Sequence, residues 1–215
     1  MSEYSVNTET STAGLPRNAR LLQRDATRRQ LVDAGLRVVA ARGLAGATTA
    51  AIAEASGKAH GTVFVHFRNR DDLVDALVQE LGRAISQRLA ELADDGAPSD
   101  AGPGVAEVLD AHLAALAEFE ALVSCVLRES ATLPPAARAR VFALQSGVAW
   151  RLRHALARDV ARGRARAIEP LTLANVWIAL VNHYLIHRDL FAPGASVVAT
   201  RGAELKAQLL SLLAP

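Results

Sequence analysis

Apolar side chains recur three or four residues apart along most of this sequence. The clearest run is Leu73, Leu77, Leu81, Ile85, Leu89 and Leu92. This spacing places all of them on one face of an α-helix. Only 4% of the residues are aromatic although 51% are hydrophobic, so the apolar side chains are mainly small and branched aliphatic ones. Such side chains favour helices packed on helices, and we therefore predict an all-α fold.

Glycine, proline and capping residues divide this pattern into separate helices. We predict helices over residues 27–42, 48–56, 60–67, 70–92, 105–131, 135–162, 171–191 and 196–213. Thr27 and Gln30 form a capping-box pattern at the start of the first helix, and Ser196 is the expected N-cap of the last. Gly43 and Gly57 are expected to end the first two helices, because glycine readily adopts the turn conformations found there.

Two segments are predicted to lack helical structure. Residues 1–24 are expected to form a flexible basic arm, whose arginines Arg17, Arg20 and Arg24 either contact DNA or are simply solvated. Residues 94–104, DDGAPSDAGPG, are rich in helix-breaking and turn-forming residues. We expect this second segment to be a loop between the fourth and fifth helices.

Several classes of protein are excluded by what the sequence lacks. A single cysteine, Cys125, cannot form an intramolecular disulfide, and we find neither a secretion signal nor an apolar stretch that could span a bilayer. We therefore expect a cytoplasmic protein without a membrane partner. No nucleophile elbow, phosphate-binding loop, dinucleotide fingerprint or HExxH motif is present, so we expect no enzyme and no cofactor. An enzyme using His183, His187 and a carboxylate is the alternative.

Charge is distributed unevenly along the chain. Residues 16–70 contain ten lysines and arginines but three acidic residues, whereas the whole chain has 24 basic and 22 acidic residues. The remaining residues are therefore net acidic, and the basic part is typical of a surface that binds nucleic acid. A second basic run, 138–166, either forms the polar face of a helix or contacts an acidic ligand or DNA.

The basic part also contains two short predicted helices joined at Gly57, the layout of a helix-turn-helix. Its sequence, TRRQLVDAGLRVVAARGLAGATTAAIAEASGKAHGTVFVHFRNRDDLVDAL, closely resembles the DNA-binding domain of the tetracycline-repressor (TetR) family over residues 27–77. The resemblance implies a helix-turn-helix domain over residues 25–70, followed by a helical effector-binding and dimerisation domain over 71–215. In this family the second short helix enters the major groove of DNA.

The resemblance also implies which residues contact DNA. The residues at the family's DNA-facing positions are Arg28, Thr48, Lys58, Ala59, His60, Gly61, Thr62, Phe64, His66 and Arg70. Thr48 caps the second helix, and Arg70 occupies a position that touches phosphate in this family. Phe64 and His66 stand where the family commonly has tyrosines. His66 can replace one phosphate donor, whereas Phe64 either faces the DNA or packs between the recognition helix and the core.

The family's effector pocket lies among the C-terminal helices. Polar or aromatic residues on otherwise apolar helices are the candidates for ligand contact, namely His112, Phe119, Phe142, Trp150, His154, Trp177, His183, Tyr184 and His187. Each could instead belong to the core or to a dimer interface. As a set they indicate an amphipathic organic effector with ring or acyl character.

The resemblance implies a function as well as a fold. The segments 171–191 and 196–213 match the helices with which the family forms a homodimer on a palindromic operator. We therefore predict a ligand-responsive homodimeric repressor that a small effector releases from double-stranded DNA. The alternatives are a metal-responsive regulator that uses His183 and His187, four residues apart, and a helical adaptor without specific DNA binding. No metal site is otherwise assigned.

Overall fold

The computed structural model describes residues 17–93 and 102–214, and every regular element within those ranges is a helix. The α-helices are α1 (Arg17–Gly46), α2 (Thr49–Ser56), α3 (His60–His66), α4 (Arg70–Ala93), α5 (Val105–Arg128), α6 (Pro135–Ala161), α7 (Pro170–Ile186), α8 (Arg188–Phe191) and α9 (Val197–Ser211). A 3₁₀ turn, Ser130–Thr132, follows α5. The all-α prediction is confirmed.

The start of the first helix is predicted incorrectly. Helix α1 begins at Arg17, so the last part of the expected arm, residues 17–24, is helical. Thr27 lies inside the helix and donates its hydroxyl to the Gln23 carbonyl at 3.0 Å, instead of capping a helix end. The segment before Thr27 is rich in Arg, Leu, Gln and Ala, which have high helix propensity. This propensity outweighs the single capping pattern at Thr27, so the helix continues through it. Residues 1–16, the rest of the predicted arm, lie outside the described residues.

Helices α1, α2 and α3 pack into a small unit around Leu31, Ile52, Val63 and Phe67, which are all buried. The turn between α2 and α3 follows the prediction. Gly57 has a φ of 64°, and the Thr48 hydroxyl accepts a hydrogen bond from the Ala51 amide at 3.1 Å. These local interactions fix the angle between the two short helices, and they therefore set the orientation of α3.

The last turn of α1 is interrupted at Gly43, whose φ is 76° and ψ is 172°. The prediction that the regular helix ends there is confirmed. A side chain at position 43 would be strained by this φ, and a Cβ would also lie 3.2 Å from Oε1 of Glu129 on the loop after α5. Glycine therefore permits the close approach of the first helix to the C-terminal domain.

Helices α4 to α7 and α9 form the larger part of the molecule. Three helix ends in this part differ from the prediction by more than one residue. Helix α9 ends at Ser211 rather than at Leu213. Helix α5 ends at Arg128 rather than at Ala131, and the helix predicted over 171–191 divides at His187 into α7 and α8. The division brings the Phe191 ring onto that of Tyr184, with 4.2 Å between their centroids. Of the predicted loop 94–104, residues 94–101 lie outside the described residues, and 102–104 are not helical.

Buried carboxylates hold two helix starts in place. Glu120 of α5 accepts hydrogen bonds from the Ser196 hydroxyl and from the amides of Val197 and Val198, at 2.5, 3.0 and 3.2 Å. Asp159 of α6 similarly accepts the Val105 amide at 2.8 Å. An amide at a helix start has no partner within its helix, so these carboxylates satisfy groups that would otherwise be buried without a bond.

Within the described part of the chain, no helix is long and apolar enough to cross a membrane.

Candidate DNA interface and effector cavity

The recognition helix α3 is anchored by one face and exposed on the other. Val63 and the following Phe67 are buried against α1 and α2, whereas Ala59, His60, Gly61 and the aromatic ring of Phe64 face solvent. Lys58, Thr62 and His66 are half-buried. The structure therefore brings seven of the predicted DNA-facing residues together on and just before one short helix.

Phe64 does not pack between the recognition helix and the core. Its side chain is 51% exposed, so that alternative is wrong. The ring lies edge-to-face with that of His60, at a centroid distance of 5.0 Å, and Nε2 of His60 lies 2.9 Å from the Thr49 hydroxyl of α2. These contacts tie the exposed residues of α3 to the helix behind it.

The other predicted DNA contacts lie around this helix. The Arg28 guanidinium lies 5.2 Å from the centroid of the Phe67 ring, and Arg70 donates a hydrogen bond to the Leu44 carbonyl at 2.9 Å. Burial, followed by the charges of Arg24 and Arg28, lowers the pKa of His66. The lowered pKa favours the neutral form of the His66 ring.

A cavity lies between α4, α5, α6 and α7. It holds about 630 Å³ of empty space, counting the part that opens to solvent. The lining is almost entirely aliphatic and consists of Val78, Leu81, Gly82, Ile85, His112, Leu116, Val123, Val126, Leu127, Arg140, Val141, Leu144, Gln145, Val148, Ile178 and Asn182. Helix α5 departs from helical geometry at Phe119, between its two lining segments. Concave apolar sites with few polar groups are typical of small-molecule binding.

Four polar side chains reach the cavity: His112, Arg140, Gln145 and Asn182. His112 is buried, and its Nδ1 accepts a hydrogen bond of 2.9 Å from Nε1 of Trp177. Arg140 forms a two-pronged ion pair with Asp75 of α4, at 2.6 and 3.0 Å. That pair links α6 to α4 beside the cavity wall.

Only one of the nine predicted ligand residues lines this cavity. His112 does, with Trp177 behind it, whereas Phe142 and Trp150 lie on the outer face of α6 with 62% and 55% of their surface exposed. The His154 ring lies 4.2 Å from that of Trp150. His183, Tyr184 and His187 cluster with the Phe191 ring where α7 ends, and Phe119 is partly buried in α5. Gln145 also lines the cavity but is not among the predicted ligand residues. It lies four residues after Val141 and three before Val148, so the helical spacing of this apolar face of α6 could have identified it.

No group of three or more His, Cys, Asp and Glu residues in the described ranges could hold a metal ion. The His183 and His187 rings do lie close together, at a centroid distance of 4.9 Å. Two ligands do not complete a site of the kind that zinc requires. The structure of one chain therefore gives the metal-responsive alternative no support.

The DNA-binding unit is joined to the larger domain at Leu44. Its amide donates to Oε1 of Glu129 at 2.9 Å, and its carbonyl accepts from Arg70 at the start of α4. The Cys125 thiol donates to the same Glu129 oxygen at 3.3 Å. The Leu44 backbone is therefore hydrogen-bonded both by Arg70 at the start of α4 and by Glu129 at the end of α5.

The buried His112 makes stability depend on pH. Burial lowers the pKa of His112 to about 4 in the folded protein, against an ordinary value of 6.5. Below pH 6.5 the unfolded chain takes up a proton that the folded chain does not, so stability falls as the pH decreases from 6.5 towards 4. We expect a loss of about 2 kcal/mol between neutral pH and about pH 5, at about 1.4 kcal/mol per unit.

Urea denaturation across this pH range measures the loss. The paired substitution His112→Leu with Trp177→Phe removes the titrating ring together with the donor that it satisfies, and it should flatten the profile. An unchanged pH dependence in this variant would show that other groups cause the loss.

Comparisons with known proteins agree with this architecture. The sequence pattern of "Bacterial regulatory proteins, tetR family" matches residues 31–77. The transcriptional repressor AcnR of Corynebacterium efficiens is 28% identical over 171 residues, which are 79% of this chain and 84% of AcnR. A TetR family regulator from Agrobacterium tumefaciens has the same fold with a TM-score of 0.70, at 20% identity, over 89% of this chain and all of that one.

A further structure with this fold contains a ligand. FadR of Bacillus subtilis, solved in complex with stearoyl-CoA, superimposes with a TM-score of 0.66 at 20% identity, over 86% of this chain and 98% of FadR. AcnR and FadR are both transcriptional regulators. Residues 31–77 thus match the sequence pattern of the TetR family, and the chain as a whole is similar in sequence and in fold to DNA-binding transcriptional regulators of that family.

Proposed function

We propose that this protein is a homodimeric repressor that binds a palindromic operator and releases it when a small, largely apolar effector enters the cavity. The observation that carries the proposal is that α4 belongs to both sites. Arg70, its first residue, holds the Leu44 backbone, and two to four turns further on Val78, Leu81 and Ile85 line the cavity. A ligand that displaces α4 therefore also displaces the DNA-binding unit.

The exposed residues of α3 are the proposed contacts with the operator. We assign His60, Phe64 and the half-buried Thr62 to base edges. Lys58 and Arg70 are assigned to phosphate, because both side chains are cationic. Thr48 acts indirectly, because its hydroxyl is used to cap α2. Base contacts supply specificity, and the phosphate contacts make binding sensitive to salt.

The outer faces of α7 and α9 are the proposed dimer interface. On α7, Val176 and Ala179 are exposed although apolar, with Val176 at 40%. On α9, Ala199, Ala203 and Ala207 are exposed one turn apart along the same face. Small and branched apolar residues at this spacing allow a second copy to pack closely. A two-fold dimer would place two α3 helices on the two half-sites of a palindrome, which is the arrangement that the family resemblance implies.

DNA selection from a random duplex library tests the proposed function. The purified chain should enrich a palindrome, bind it as a dimer by light scattering, and lose affinity steeply as salt is raised. Enrichment of no sequence, or binding that does not distinguish the selected duplex from a scrambled one, would contradict the proposal and favour the adaptor alternative.

Glu129 is expected to couple the two domains. Replacing Glu129 with alanine removes the acceptor of the Leu44 amide while leaving the DNA-facing residues unchanged. We expect the Leu44 amide to exchange hydrogen faster with solvent, and the operator affinity to change by about 5-fold, the lower end of measured coupling between sites. Hydrogen exchange and fluorescence anisotropy measure these two effects.

Glu107→Ala on the exposed side of α5 is a suitable control for the charge change. If Glu129→Ala left both the exchange rate and the operator affinity at the level of this control, Glu129 would have no part in coupling.

A further inference from the structure

The chemistry of the cavity wall restricts what can bind there. We propose that the effector is an uncharged molecule with a compact apolar body and one hydrogen-bond acceptor, which receives a hydrogen bond from Nε2–H of His112. This inference rests on the proposed function, because it names the ligand class of the same cavity.

The apolar body follows from the lining. Twelve of the sixteen lining residues are aliphatic or glycine, and they come from all four surrounding helices. Val78 and Leu81 of α4, Leu116 of α5 and Leu144 of α6 are examples. Such a wall offers a ligand dispersion and burial of apolar surface but few polar partners.

The donor follows from the bond between Trp177 and His112. An indole nitrogen only donates, so Nδ1 of His112 must accept and cannot carry a proton. The proton of the neutral ring is therefore on Nε2. Trp177 itself is not a lining residue, so Nε2–H is the polar group that His112 can offer to the cavity. Burial, which lowers the pKa of His112 to about 4, keeps the ring neutral.

The exclusion of an anion follows from the remaining polar groups. The positive charge of Arg140 is already matched by Asp75, through two hydrogen bonds. Gln145 and Asn182 are neutral amides, and His112 is neutral as well. A carboxylate in this cavity would be a buried charge without an uncommitted cation, which is strongly unfavourable, whereas a carbonyl oxygen needs only the one donor.

Three small molecules of nearly the same shape test the contributions of the hydrogen-bond acceptor and of the charge separately. Acetophenone has an acceptor and no charge, ethylbenzene has neither, and benzoate has acceptors and a negative charge. Calorimetric titration of the full chain at neutral pH should show acetophenone binding about 3- to 10-fold more tightly than ethylbenzene, the gain from one net hydrogen bond. Benzoate should bind at least about 100-fold more weakly than acetophenone.

Two variants test whether the preference for acetophenone over ethylbenzene depends on His112. In the paired substitution His112→Leu with Trp177→Phe, both hydrogen-bonding partners are removed, so no buried donor is left unsatisfied. Acetophenone should then bind no better than ethylbenzene, whose affinity should be retained. In Trp177→Phe alone, the His112 ring can carry its proton on either nitrogen. The preference for acetophenone over ethylbenzene should therefore be reduced only in part. Gln87→Leu on the exposed face of α4 is a control and should behave like the wild-type chain.

The outcomes separate this inference from the proposed function. Benzoate binding as tightly as acetophenone, a preference for acetophenone that survives the paired substitution, or no binding of acetophenone at its solubility limit would each overturn the inference. Failure of the unliganded chain to select an operator would instead contradict the proposed function, and it is measured without any of the three molecules.

Discussion

Replacing Gly61 with glutamate is expected to weaken specific operator binding strongly without unfolding the protein. Gly61 lies in the first turn of α3, and a Cβ added there meets no heavy atom within 4 Å. A carboxylate in a first helical turn also interacts favourably with the helix dipole, so the fold should tolerate it. On DNA, however, the same carboxylate would face base edges and phosphates. If each half-site loses about 1–3 kcal/mol of binding free energy, the operator affinity of the dimer should fall by at least about 30-fold.

Fluorescence anisotropy with the selected operator measures this loss, and circular dichroism monitors the fold. Ala157→Glu is a matched control, because Ala157 is exposed on α6 and the change in charge is the same. Equal operator affinities for the two variants would show that α3 is not the DNA-contacting helix.

Replacing Glu120 with alanine is expected to cause the largest loss of stability among these variants. The substitution leaves the amides of Val197 and Val198 without their acceptor, and it also removes the carboxylate that lies 3.9 Å from Arg188. Each unsatisfied buried amide costs about 1–3 kcal/mol, so the free energy of unfolding should fall by about 2–6 kcal/mol. Because α9 is part of the proposed dimer interface, the dimer should also dissociate more readily.

Glu118→Ala provides the matched control two residues away. Glu118 is exposed and pairs with Arg88 at 3.2 Å, so its loss should cost less than about 1 kcal/mol. Urea denaturation gives both values. Similar losses for the two variants would mean that Glu120 does not hold the start of α9.

Features that depend on short stretches of sequence could be predicted. The cap at Thr48, the left-handed glycines Gly43 and Gly57, and the N-cap at Ser196 each depend on one residue and its immediate neighbours. The start of α1 is the exception, because the helix-forming residues before Thr27 extend the helix through a local capping pattern.

The cavity could not be predicted in the same way, because it depends on how four helices pack. Aromatic side chains were predicted to contact a ligand, but Trp150 and Phe142 lie outside the cavity, whereas the lining is aliphatic. The basic run 138–166 predicts either the polar face of a helix or a contact with an acidic ligand or DNA. Arg140 of this run instead pairs with Asp75, which is distant in sequence. The domain boundaries at residues 24 and 70 and the individual DNA contacts remain predictions.

The operator affinity measured with and without a ligand in the cavity tests the account most directly. Acetophenone at saturating concentration should weaken binding of the selected duplex by about 5- to 150-fold, the usual range for coupled sites. Saturating operator should then raise the dissociation constant of acetophenone by the same factor, because coupling between two binding sites is reciprocal. A ligand that occupies the cavity and leaves the operator affinity unchanged would contradict the claim that this cavity controls DNA binding.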